Sequence, residues 1–149
     1  MNPLAGNPYP VAIISDGMTV TDIIGLDAAT VVPARLMSPE NSLTLTGTGV
    51  SSTIDKRGWA SVGVYIPTGF SGTRLCVQVS PTANPAQWAY FIDSETGAPW
   101  YATLYTANAN GIFIDAEIFP FPFIRLVFTN NTFVVQSQTN LTVIYSLIA

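Results

Sequence analysis

The chain has 149 residues, room for one domain of ordinary size. Five basic and nine acidic residues give a net charge of −4, and charged residues make up 9% of the chain, against about 25% in typical soluble domains. Five scattered cations exclude the basic footprint of a nucleic-acid or anionic-membrane binder; the absence of histidine and a single cysteine, Cys76, exclude histidine-dependent nucleophilic catalysis, an internal disulfide and nearly every zinc site.

Met1 to Pro10 holds three prolines and one glycine. Proline lacks a backbone donor and fixes φ, so the stretch is neither helix nor central strand. It reads as an extended arm over residues 1–14 or as a frayed terminus. With no basic residue and no continuous apolar run, it does not read as a secretion signal. Val11-Ala-Ile-Ile-Ser15 is a short apolar run closed by Asp16-Gly17, and Thr30 to Leu36 is an edge strand at most, because Pro33 interrupts it. Between them, Asp22 to Thr30 holds a helical turn or two, weakened by Gly25.

From there the pattern is β throughout. Leu43-Thr-Leu-Thr46 alternates and ends at Gly47-Thr-Gly49. Val62, Val64 and Ile66 share one face and Pro67 stops them; Leu75, Val77 and Val79 repeat the pattern before Ser80-Pro81. Trp88, Tyr90 and Ile92 fall on one face, with Ala89 and Phe91 on the other, before the turn-rich Asp93-Ser-Glu-Thr-Gly97. Trp100 to Tyr105, Ile112 to Ile114, Phe123 to Phe128, Phe133 to Val135 and Leu141 to Ile148 follow as strands. Many short strands with turn signals between them predict an all-β sandwich or small barrel. From Leu126 to the C-terminus no residue is charged, but Asn130-Asn-Thr132 and Gln136-Ser-Gln-Thr-Asn140 break the stretch, so it does not read as a spanning helix. Internal prolines and short strands argue against a transmembrane barrel.

Edge strands of soluble proteins are normally blunted by charge, above all lysine. Here the only lysine is Lys56, and Leu75 to Ile92 carries no charge either. Neutral sheets of this kind are expected to be covered by a neighbour, with a surface of Thr, Ser, Asn and Gln as the alternative.

The candidate chemistry is sparse. Asp93 and Glu95, and Asp115 and Glu117, are spaced to put each pair of carboxylates on one face of a strand, where they could hold Ca²⁺ or act as acid and base. Asp93 and Glu95 read equally well as turn residues. Trp88, Tyr90 and Trp100, with Trp59, Tyr101 and Tyr105, are candidates for a sugar-stacking platform or for core. No phosphate loop is present, and no catalytic residue, metal site or cofactor is assigned. Cys76 reads as a small buried hydrophobe.

The order of these segments carries a resemblance, within residues 41–149. Val50-Ser-Ser-Thr-Ile-Asp55 is followed by Val64-Tyr-Ile-Pro67 and Leu75-Cys-Val-Gln-Val-Ser80. Then come Asp93-Ser-Glu-Thr-Gly97, Phe123-Ile-Arg-Leu126, Gln136 and a closing Leu141 to Ile148. This resembles a β-sandwich that recurs in tailed-phage virion proteins, although Pro81-Thr-Ala-Asn-Pro85 replaces that family's tight Asp-Gly turn. The resemblance implies a jelly-roll-like antiparallel β-sandwich over residues 15–149 behind an extended N-terminal arm. It implies a non-enzymatic capsid cement or decoration subunit, made in the host cytoplasm and carried on the capsid exterior. Its partners would be the major capsid protein and further copies of itself, with a trimer favoured and no nucleic acid or membrane involved. Pro8, Tyr9, Pro10, Val11, Ile13 and Ile14 would make the capsid or oligomer contact. The alternative is a glycan-binding module of a head fibre or host-attachment protein, using Trp88, Tyr90 and Trp100.

Overall fold

The structure, a computed structural model, describes residues 36–118 and 120–149. The chain divides after Arg35, and the arm, with Pro8, Tyr9, Pro10, Val11, Ile13 and Ile14, lies outside the described residues.

Nine strands are described: β1 (Asn41–Leu45), β2 (Ile54–Asp55), β3 (Ser61–Ile66), β4 (Arg74–Ser80), β5 (Ala89–Tyr90), β6 (Tyr101–Thr103), β7 (Asn110–Ile114), β8 (Phe123–Thr129) and β9 (Leu141–Ile148). They form two antiparallel sheets, one ordered β1-β9-β3-β7 and the other β2-β8-β4, with β5 and β6 both pairing the free side of β4. Among the described residues the only helical element is one 3₁₀ turn, Ala116–Ile118. The fold is an all-β sandwich.

Its wiring is nested. β1 pairs with β9, β2 with β8, β3 with β7, and β4 with β5 and β6. Successive strands from β1 to β4 alternate between the sheets. The nine described strands thus form one long hairpin rolled up, and the β3–β9 and β4–β8 ladders join its two arms.

The core lies between the sheets. Leu43, Leu45, Val62, Val64, Ile66, Leu141 and Val143 face Leu75, Val77, Val79, Ile124, Leu126 and Phe128, each set drawn from alternate residues of its strands, as pleating requires. β8 departs from simple alternation: Leu126, Val127, Phe128 and Thr129 are all fully buried, so the centre of the second sheet is covered on both faces. Cys76 is fully buried there beside Thr129, and burial pushes its thiol pKa up.

One end is closed by a buried amide. Gln138, 2% exposed, accepts from the Ser71 backbone N–H at 2.8 Å and donates to the carbonyls of Ser71 and Gln136, each at 2.8 Å. Its backbone exchanges hydrogen bonds with Gly47 and Thr48. The loops after β1, β3 and β8 are thereby tied together. Phe133 to Val135, expected as a strand, makes one bridge instead, Val135 to Thr129. Phe133 sits at φ 64°, and the Asn130 side-chain oxygen accepts from the N–H groups of Thr132 and Val134, which turns the chain away from the ladder.

Candidate functional site

Three surface features concentrate the side chains that could act on another molecule. The first is on the outer face of the β1-β9-β3-β7 sheet. Register sets large residues against small ones: Gly63 lies opposite Phe113 on one side and Ser146 on the other, and Tyr65 lies opposite Gly111 and Ile144. The small residues leave a trough of about 500 Å³ walled by Tyr65, Phe113 and Ile144, with Met37 at the rim and Glu40 the one charged residue of its lining among the described residues. Met37, Tyr65, Phe113 and Ile144 are 61%, 50%, 53% and 40% exposed. Outward strand positions normally carry polar side chains when they face water. At Tyr65, Phe113 and Ile144 they are apolar, and neither glycine has positive φ or a crowded β-carbon position. No local pattern in the sequence marks Gly63, Gly111, Tyr65 or Phe113 as a site.

The second feature lies on the outer face of the other sheet. Arg57 sits over Phe123 at 5.3 Å, Arg125 over Trp88 at 4.5 Å, and Arg74 over Tyr101 at 3.9 Å and Phe133 at 4.8 Å. Arg57 is neutralised by Asp55 in a two-point pair, which holds the Asp55 carboxyl below its ordinary pKa. Arg125 donates to Gln78 Oε1 at 2.7 Å, and partial burial lowers its pKa. Neither Arg74 nor Arg125 forms an ion pair among the described residues. Trp88 and Tyr90 share this face, Tyr90 lying across from Gln78. Trp100 does not join them; it packs against the core, as does Trp59.

The third feature is a concavity of about 240 Å³ where the β5–β6 loop meets the end of β7. It gathers Asp93, Glu95, Asp115 and Glu117 around Phe91 and Trp100. The two predicted carboxylate pairs are therefore brought to one lining. Asp93 accepts from the Glu95 N–H at 2.8 Å and Asp115 from the Ala116 N–H at 2.6 Å, so both also shape their own turns. Among the described residues no group of three or more acids or cysteines is placed to hold a metal ion.

Lys56 belongs to none of these. It is 1% exposed and donates to the Trp59 carbonyl at 3.0 Å beneath the β2–β3 turn, and burial lowers its pKa. No helix among the described residues is long and apolar enough to cross a membrane.

No protein-family model matches the chain, and comparisons with curated proteins and with solved structures likewise find no match.

Proposed function

We propose that this protein is a non-enzymatic structural subunit of a phage virion, a head decoration or cement protein that docks through the outer face of its β1-β9-β3-β7 sheet. The observation that carries the reading is the trough floored by Gly63, Gly111 and Ser146. The largest contiguous apolar patch of a protein is often a functional contact surface. The nested strand pairing supports a jelly roll, the architecture that the resemblance to tailed-phage virion sandwiches implies, and the scarcity of charge suits surfaces that end up covered. The major capsid protein is the proposed partner, and the arm over residues 1–14 is proposed to reach it as well.

The energetics favour several subunits acting together. Covering each half-exposed apolar side chain contributes about 1 kcal/mol. Four of them do not exceed the ~4–15 kcal/mol lost when two bodies associate. A single trough therefore holds weakly, and a complex presenting several at once gains by effective concentration.

Co-sedimentation with empty heads of the phage that encodes the chain tests this. The wild type is expected to pellet with heads and raise their melting temperature by linkage. Phe113→Ser and a chain lacking residues 1–14 are expected to stay in the supernatant. A folded wild type that ignores heads overturns the reading. A second reading, glycan binding, is favoured by Trp88 and Tyr90 sharing one face with Gln78; quenching of tryptophan fluorescence by sugars would mark it.

A further inference from the structure

We infer that the arginine–aromatic face of the β2-β8-β4 sheet is the contact through which copies of this chain associate, with the acidic concavity of a neighbouring copy as its occupant. This rests on the assembly reading above and names the surface that would join the subunits.

This charge-poor chain concentrates its described charges in two places. The described residues include four basic side chains, Lys56, Arg57, Arg74 and Arg125, and six acidic ones. Lys56 is buried. The three arginines all stack on aromatic rings of one sheet face. Four of the six acids, Asp93, Glu95, Asp115 and Glu117, line one concavity. Arg57 is already matched by Asp55, whereas Arg74 and Arg125 have no carboxylate within ion-pair distance among the described residues.

Stacking prepares these two groups for carboxylates. A guanidinium laid on a ring loses water from its faces, while its N–H edges stay free to take a carboxylate in the plane. Tyr101 and Phe133, edge to face at 5.9 Å, hold Arg74 in place, and Trp88 and Gln78 hold Arg125. Little rotamer entropy is left to lose on binding. The acidic concavity offers four carboxylates and two aromatic residues, Phe91 and Trp100, against which an incoming guanidinium or ring can pack.

The two patches are different surfaces of the same chain, so the contact is heterologous when each patch takes a different neighbour. Such contacts propagate head to tail and close into a ring when the rotation allows. The outer face of the β1-β9-β3-β7 sheet takes no part, so each copy in the ring keeps its trough for docking.

The experiment is solution mass by light scattering on the full chain. The wild type is expected to be multimeric at low salt and to lose mass as salt screens the contact. Arg74→Glu with Arg125→Glu, and separately Asp115→Lys with Glu117→Lys, are each expected to give folded monomers. Mixing the two variants is expected to restore a complex, because each supplies the intact patch the other lacks. A wild type monomeric at all salt concentrations, or charge-reversed variants that keep the wild-type mass, overturns the inference. So does a mixture in which folded variants stay apart. A monomer whose tryptophan fluorescence responds to polygalacturonate overturns it in favour of an acidic glycan. Phe113→Ser is expected to keep the wild-type mass, so its failure on heads reads the docking proposal alone.

Discussion

Gly63 stands directly opposite Phe113 across the β3–β7 ladder, on the solvent side of the sheet. A strand residue with no side chain beside an exposed ring leaves a hole, and the hole has room. A β-carbon at Gly63 would meet Ile148 Cδ1 at 3.7 Å, ordinary contact, and one at Gly111 would meet nothing within 4 Å. Gly63→Val and Gly111→Val are expected to leave the fold intact and to raise its stability by up to about 1 kcal/mol, because glycine is entropically costly in a strand. Both are expected to abolish head binding by filling the trough. Thermal unfolding read beside co-sedimentation separates the two effects.

Gly49 is constrained in the opposite way. A β-carbon there would overlap the Gln136 carbonyl oxygen and lie 2.7 Å from Val135 Cγ1. The backbones meet because Phe128 bonds both segments, donating to Gly49 O and accepting from the Gln136 N–H, each at 2.8 Å. Gly49→Ala is expected to cost about 1–3 kcal/mol through forced displacement. Urea unfolding measures it, with a lowered midpoint and an unchanged slope as the expected result.

The Gln138 amide is fully satisfied inside the protein. Gln138→Leu keeps most of the volume but strands the Ser71 N–H and two carbonyls at a buried junction. The expected loss is about 1–3 kcal/mol. Hydrogen exchange at the Ser71 amide is expected to speed up in the variant more than exchange at the centre of β8.

Stability should depend on Lys56 in alkali. Its folded pKa lies below the unfolded value of 10.5, so the folded state binds fewer protons there and gains stability as pH rises through that interval. Tyr90 and Tyr145 act in the opposite sense. Burial raises both, so their contribution is present below the ordinary tyrosine range and lost as pH climbs through the raised values. The difference between wild type and Lys56→Met isolates the lysine. Unfolding free energies are expected to shift in the wild type's favour as pH rises toward the ordinary lysine value of 10.5, and a difference that stays flat would show that burial does not perturb Lys56.

The strands that sequence reading placed best are those where alternation meets a breaker. β3 ends at Ile66 before Pro67, and β4 ends at Ser80 before Pro81. β2, two residues long, carries no period of its own and was marked only by the resemblance at Val50 to Asp55, and Phe133 to Val135 misled because β-branched and aromatic content outweighed the Asn130 turn. The burial of Cys76 and the turn role of Asp93 were legible from their neighbours. The trough was not. It arises from register between strands about 50 and 80 residues apart, which sets Gly63 beside Phe113 and Ser146, and no local pattern encodes that pairing. The same holds for the arginine stacks, where Arg74 meets Phe133 from a distant loop.

Hydroxyl-radical footprinting of the subunit, free and bound to heads, tests the docking face most directly. Met37, Tyr65 and Phe113 are reactive side chains open to solvent in the free protein. All three are expected to lose modification on binding, while Trp88 and Tyr101, on the opposite face, keep the same level in both states. Protection of Trp88 and Tyr101 with Met37, Tyr65 and Phe113 left open would contradict that expectation.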